Sequence, residues 1–206
     1  MNTKNNSVAV VTLFLKKSKS LYHKISERIG HSNTNDCRNR RMVAVIECIL
    51  NQNARDAGAA TFPAISTSIL DLCKKHDIGI LQMPCPEIYA LGFERERKPG
   101  QSIRDALDTP KGRQCCRKIS VDIVDRIEIY TDHGYQILSI LGGNPESPGC
   151  AVHVKDGRLL PHSGVFMKEL EDELYKRSVK IPFIGMRDYD PELFAQDIQQ
   201  LKSVFS

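Results

Sequence analysis

No stretch of this 206-residue sequence is long and apolar enough to cross a bilayer. The longest largely apolar segment, Val8 to Leu15, has eight residues, against the roughly 18 to 20 that a spanning helix needs. It also lacks the flanks of an export signal. Only Lys4 precedes it, and Lys16 and Lys17 follow where small residues would mark a cleavage site. There is no internal repeat and no collagen, coiled-coil or low-complexity bias. The seven cysteines (Cys37, Cys48, Cys73, Cys85, Cys115, Cys116 and Cys150) are odd in number and contain no C-x-x-C pair, which argues against a secreted disulfide framework. A cytoplasmic protein is expected, in which clustered thiols serve metal binding, catalysis or packing. No G-x-G-x-x-G or G-x-x-x-x-G-K-[ST] loop follows the first predicted strand, which weakens a flavodoxin-like nucleotide binder.

What is present is an ordinary globular composition, 41% hydrophobic and 26% charged, with enough chain to bury a core without staples. The charge is uneven. Residues 1–41 hold nine Lys and Arg against Glu27 and Asp36, a net +7. Of the chain's 29 basic and 25 acidic residues that leaves 20 against 23, a net −3. The basic excess therefore belongs to an N-terminal extension over 1–41, read as a solvated, partly disordered leader rather than an arm for RNA or anionic lipid. Residues 42–206 read as a single α/β domain with no call for nucleic acid or a membrane.

Within that domain, short apolar runs alternate with amphipathic stretches. Met42 to Cys48, Ile78 to Met83, Gln136 to Leu141 and Ile181 to Met186 predict strands by length and β-branched content. Ala64 to His76 and Phe166 to Tyr175 predict amphipathic helices. Thr109-Pro110 and Asp190-Pro191-Glu192 carry the cap-then-proline signature of helix starts. The helix after Pro110 places Cys115, Ile119, Ile123 and Ile127 at intervals of four and ends before Gly134. This βαβαβαβα order predicts a three-layer, Rossmann- or flavodoxin-like fold, a mainly parallel sheet with helices on both faces. Ligands gather beyond the carboxyl ends of such strands.

On this map Cys48 ends the first strand, Cys85 lies just past the second and Cys150 in the loop after the third. All three fall on one edge of the sheet. Cys73, Cys115 and Cys116 sit on helical faces, where cysteine is a small buried hydrophobe. Neighbouring strands are about 4.8 Å apart, so three thiolates from adjacent loops can serve one centre. Soft thiolates select zinc, copper(I) or iron–sulfur, and three leave a coordination position open. Zinc with His153 or His133 as fourth ligand remains an alternative.

Pro84-Cys85-Pro86-Glu87 and Ser147-Pro148-Gly149-Cys150 each pin a cysteine in a rigid turn, and Arg55 and Gly58 follow Cys48. Taken together in this order, these pieces make residues 42–150 resemble the 2-thiouracil desulfidase family, the small TudS-like proteins. Asn51, Asp56-Ala57, Ala151 and the Gly92–Arg97 segment depart from the better-studied members and mark a divergent branch. The resemblance implies a [4Fe-4S] cluster held by Cys48, Cys85 and Cys150. It also implies hydrolytic removal of sulfur from a thiolated small molecule, with the open iron binding the thiocarbonyl sulfur.

Glu87, two residues from a ligand and fixed by Pro86, is the candidate to take a proton from the attacking water; otherwise it is structural. Ser147 is either a hydrogen-bond donor at the site or a turn residue. Arg55 and Arg95 are candidates to orient the substrate, although the alternating Glu-Arg run around Arg95 and Arg97 reads as a solvated face. His162, like His153, reads as structural, and Asp188 lies on the functional edge. A non-catalytic zinc or iron–sulfur module is the alternative function.

Overall fold

The β-branched run after the basic segment becomes a central strand because nothing in it tolerates water: in β1 (Arg41–Ile46) every residue after Arg41 is buried. The computed structural model describes residues 36–206. The extension's residues 1–35, including Val8–Leu15, lie outside the described residues.

After β1 come α1 (Glu47–Leu50), a 3₁₀ turn (Gln52–Ala54), α2 (Thr67–Lys75), β2 (Gly79–Met83), α3 (Pro86–Leu91), α4 (Ile103–Leu107) and the long α5 (Pro110–Asp132). β3 (Gln136–Gly142), a small hairpin of β4 (Val154–Lys155) and β5 (Arg158–Leu159), α6 (Val165–Lys176), β6 (Phe183–Gly185) and α7 (Pro191–Phe205) complete the chain. The main sheet has the order β2-β1-β3-β6, all parallel. This is an α/β fold with a four-stranded parallel sheet flanked by helices, in the flavodoxin-like order whose crossovers diverge between β1 and β3. Among the described residues no helix is long and apolar enough to cross a membrane.

The predicted starts of the two longest helices are made by the predicted chemistry. Thr109 Oγ1 accepts from the Gly112 N–H at 3.1 Å. Asp190 Oδ1 accepts from Glu192 and Leu193 at 2.9 and 3.0 Å. In α5 the residues Cys116, Ile119, Ile123, Val124 and Ile127 are buried. Each large aliphatic among them stabilises the fold by about 1.5–3 kcal/mol. α5 packs on α6, α3 and α4, while α2 and α7 pack together. Arg113 and Arg117 of α5 pair with Glu169 of α6 at 3.0 and 3.3 Å.

Three element boundaries differ from the sequence expectation by two residues or more. The first strand stops at Ile46, so Cys48 stands in the turn of α1 rather than at a strand's end. The helix expected from Ala64 starts at Thr67, and the fourth strand narrows to Phe183–Gly185. Residues Asn39–Ser206 make one compact unit. Its amino end is tied down by Asn39 donating to the Asp77 carbonyl and Arg41 to the Phe205 carbonyl. Asp36 and Arg38, in the preceding segment, pair with each other.

Candidate functional site

The loops leaving β1, β2 and β3 meet at the carboxyl edge of the sheet, where Ile46 and Met83 are register partners. A cavity of about 280 Å³ opens there, lined by Cys48, Cys85, Cys150, Glu87, Arg55, Arg95, Ser147 and Asn144 among others. The four residues expected to act on substrate or proton and the three thiols thus share one cavity. The sequence places the three thiols on one edge of the sheet, and all three line this cavity.

Each thiol is held by a different device. Cys48 follows Glu47, whose Oε2 accepts the Cys85 N–H at 2.7 Å, so α1 and the Cys85 turn are tied together. The buried Gln52 clamps the loop after α1, donating to the Cys48 carbonyl at 2.7 Å and accepting from the Thr61 N–H at 3.0 Å. Cys85 caps α3, with Pro86 in the first turn. The N–H groups of Ile88 and Glu87 favour its thiolate, and an Arg95 Nη2 lies 3.8 Å from its sulfur. Cys150 N–H donates to Ser147 Oγ at 3.2 Å, and the Cys150 carbonyl accepts from Gly143 at 2.7 Å, laying the S-P-G-C turn over the end of β3.

Burial dominates the thiol electrostatics. It pushes Cys48 up to about 11, despite the neighbouring Arg55 guanidinium that hydrogen-bonds it. It raises Cys85 and lifts Cys150 well above the ordinary thiol range, with Cys85 further raising Cys48 and both of them further raising Cys150. In the metal-free protein these groups are therefore protonated at neutral pH, and a metal must displace the protons. Since the thiolate is the nucleophile, iodoacetamide at pH 8 modifies the exposed Cys37 before the cavity thiols Cys48 and Cys150. Cys48 labelling accelerates as pH rises toward about 11. Peptide mass mapping of a timed reaction checks the order, and rapid Cys48 labelling at pH 8 contradicts it.

Glu87 sits between the turns. It is buried, which raises its carboxyl above the ordinary value against the opposing pull of Arg95, and it accepts a hydrogen bond from the Gly149 backbone. Arg95 is 1% exposed and takes up a left-handed conformation with φ near 50°. Its guanidinium donates to the Ala54 and Phe93 carbonyls at 2.5 Å each and lies 3.5 Å from Glu87. The expectation of a solvated face around Arg95 is thus corrected: the turn folds its charge inward, where carbonyls and a carboxylate satisfy it. Arg97, by contrast, holds the neighbouring turn through the Gln101 and Arg95 carbonyls.

Neither histidine considered as a zinc ligand lines the cavity. His153 packs against His162 with ring centroids 4.2 Å apart and hydrogen-bonds the Pro145 carbonyl. His133 bonds the Ile129 carbonyl at the carboxyl end of α5. Among the described residues no group of three or more His, Cys, Asp and Glu side chains is arranged to hold a single metal ion. The three thiols line one cavity of about 280 Å³, far larger than the roughly 30 Å³ share of one water. A soft, three-thiolate donor set on such a cavity fits an iron–sulfur cluster.

Two residues missed by sequence reasoning, Glu47 and Gln52, position the cysteine loops. Asp188, which the sequence placed on the functional edge, pairs with Arg55. An acid immediately before Cys48 was a visible signal for the first; Gln52 and the Arg55–Asp188 pair carry none, being contacts across distant loops. Gly149 is required by close approach. A Cβ there would stand 2.8 Å from Pro86 Cγ and 3.6 Å from Glu87 Oε1, pushing apart the turns that carry Cys85 and Cys150. Gly149→Val is expected to cost about 1–3 kcal/mol, the range for overpacking, and to impair metal loading. Thermal melts and metal analysis read the two effects.

The chain is 30% identical over 132 residues to the uncharacterized protein MJ0003 of Methanocaldococcus jannaschii, a match spanning 64% of this chain and 79% of that one. The chain belongs to the MJ0003 family. No protein-family model matches it, and no solved structure matches it. Membership of the MJ0003 family fixes kinship without assigning an activity.

Proposed function

We propose that this member of the MJ0003 family is an iron–sulfur-dependent desulfidase, related to the 2-thiouracil desulfidases, that removes sulfur hydrolytically from a thiocarbonyl compound. The observation that carries the reading is a buried carboxylate, Glu87, lining the same cavity as three thiols from the segments that follow three strands. Cys48, Cys85 and Cys150 would hold a [4Fe-4S] cluster. When bound, such a centre supplies a thiophilic Lewis-acid position at the iron without a cysteine.

The chain's own residues supply the rest. The Arg55 and Arg95 guanidiniums lie beside Cys48 and Cys85 and offset the negative charge of thiolates there. Arg95 is fully engaged by carbonyls and Glu87, so it positions the carboxylate and the thiol. Arg55 faces the cavity and is the better candidate to meet substrate. Glu87, held by Arg95 and Gly149, takes the proton of a water as its oxygen forms a bond to the thiocarbonyl carbon. The C–S bond then breaks, sulfide leaves, and a carbonyl remains, with no net oxidation or reduction. Ser147 fixes Cys150 through the N–H bond it accepts.

The test uses anaerobically purified, iron-loaded chain, a panel of heterocyclic thiocarbonyls including 2-thiouracil, and ¹⁸O-labelled water. The expected result is sulfide release without added reductant, with the label in the product carbonyl. Iron-loaded chain that releases no sulfide across the panel would favour the alternative, a non-catalytic cluster or zinc module.

A further inference from the structure

Arg55 is a partition between two hollows. On one side is the cysteine cavity, whose walls include Ala59. On the other is a cleft of about 620 Å³ walled by Phe62, Phe194, Tyr189 and Ile198, with Thr61 and Asp188 also facing it. Arg55 Nη1 donates to the Ala59 carbonyl at 3.0 Å and to Thr61 Oγ1 at 3.3 Å, and Nη2 donates to Asp188 Oδ2. The guanidinium is thus anchored to both walls, and the cleft is a separate chamber.

The chemistry of that chamber is specific. Phe62 and Phe194 lie with ring centroids 5.9 Å apart at 48°, a pair of aromatic surfaces from two different elements. Beside them stands one carboxylate, with its side chain only 3% exposed. Asp188 Oδ2 is occupied by Arg55, but Oδ1 is buried with no hydrogen-bond partner among the described residues. An unmet buried acceptor is destabilising, and a donor on a bound molecule offsets that. Mostly apolar walls with a few polar groups, here Thr61, Ser68 and Asp188, are the hallmark of a small-molecule site. An aliphatic chain would cover the walls and leave Oδ1 unmet, as would an anion with no donor.

We propose that the Phe62–Phe194 cleft is a second small-molecule site, binding a planar aromatic ring that carries an N–H donor for Asp188 Oδ1. The site stands independently of the desulfidase reading, because neither the thiols nor a metal contributes to it. It is tested by titrating benzimidazole into the ¹⁵N-labelled, metal-free chain and following amide resonances. Saturable shifts are expected over residues 61–68 and 188–195. Binding should weaken at least ten-fold for 1-methylbenzimidazole, which has no N–H. It should weaken as much in Ala195→Trp and Ser68→Trp, which fill the cleft from opposite walls at exposed positions. No saturable shift up to about 10 mM, a concentration that would detect even millimolar affinity, would overturn the proposal. So would equal binding of the methylated ring, or unaltered binding in both filled variants.

Discussion

Cys150→Ser reduces the iron bound by the anaerobically reconstituted chain to background, whereas Cys115→Ser leaves it unchanged. The two thiols differ in setting rather than in kind. Cys150 is buried and lines the cavity with Cys48 and Cys85. Cys115 is half-buried on α5, and no cavity thiol is within its reach. Serine oxygen is a hard, weakly acidic ligand where a soft thiolate is needed, and two remaining thiols leave half of a four-iron group unheld. Cys48→Ser and Cys85→Ser are expected to behave like Cys150→Ser. Circular dichroism and melting curves of each variant separate loss of the centre from loss of the fold. Iron retained at the native level in Cys150→Ser would remove the cysteine cavity from the account.

The second large effect falls on catalysis alone. Glu87→Gln keeps the shape of the side chain and its place beside Arg95 and Gly149, but cannot accept a proton. Its expected consequence is native iron content with sulfide release lowered by about 10²–10⁴-fold, the usual contribution of a general base. Arg95→Met should behave differently, because Arg95 touches both Glu87 and Cys85. It removes a buried charge and leaves Glu87 unpaired, so both folding stability and the visible spectrum of the loaded chain should change. A Glu87→Gln variant that turns over at the native rate would make the carboxylate a structural tie between the Cys85 and Cys150 turns.

The alternation of strands and helices was legible in the sequence because it depends on local signals: β-branched runs, periodic apolar positions, and the Thr109-Pro110 and Asp190-Pro191 caps. The strand order was not, since it depends on which loops pack across the sheet. Cys48 was placed at a strand's end, yet α1 begins with Glu47, whose side chain reaches across to the Cys85 N–H. A contact between residues 38 apart leaves no mark in local pattern. Arg95 shows the same limit more sharply. Alternating charges normally face water, and only the left-handed turn at this residue brings its guanidinium onto the Ala54 carbonyl and Glu87. Cys85 and Cys150 were visible in proline-pinned turns and Cys48 at the end of the first predicted strand, and their placement on one edge followed from three parallel strands.

The central claim is that Cys48, Cys85 and Cys150 jointly hold one iron–sulfur centre. Metal and acid-labile sulfide analysis of the full chain, purified without oxygen and measured together with its visible spectrum, tests it most directly. The account predicts a brown protein with about four irons and four sulfides per chain, whose colour disappears when any one of these three cysteines is replaced. A colourless protein carrying one zinc per chain would contradict it.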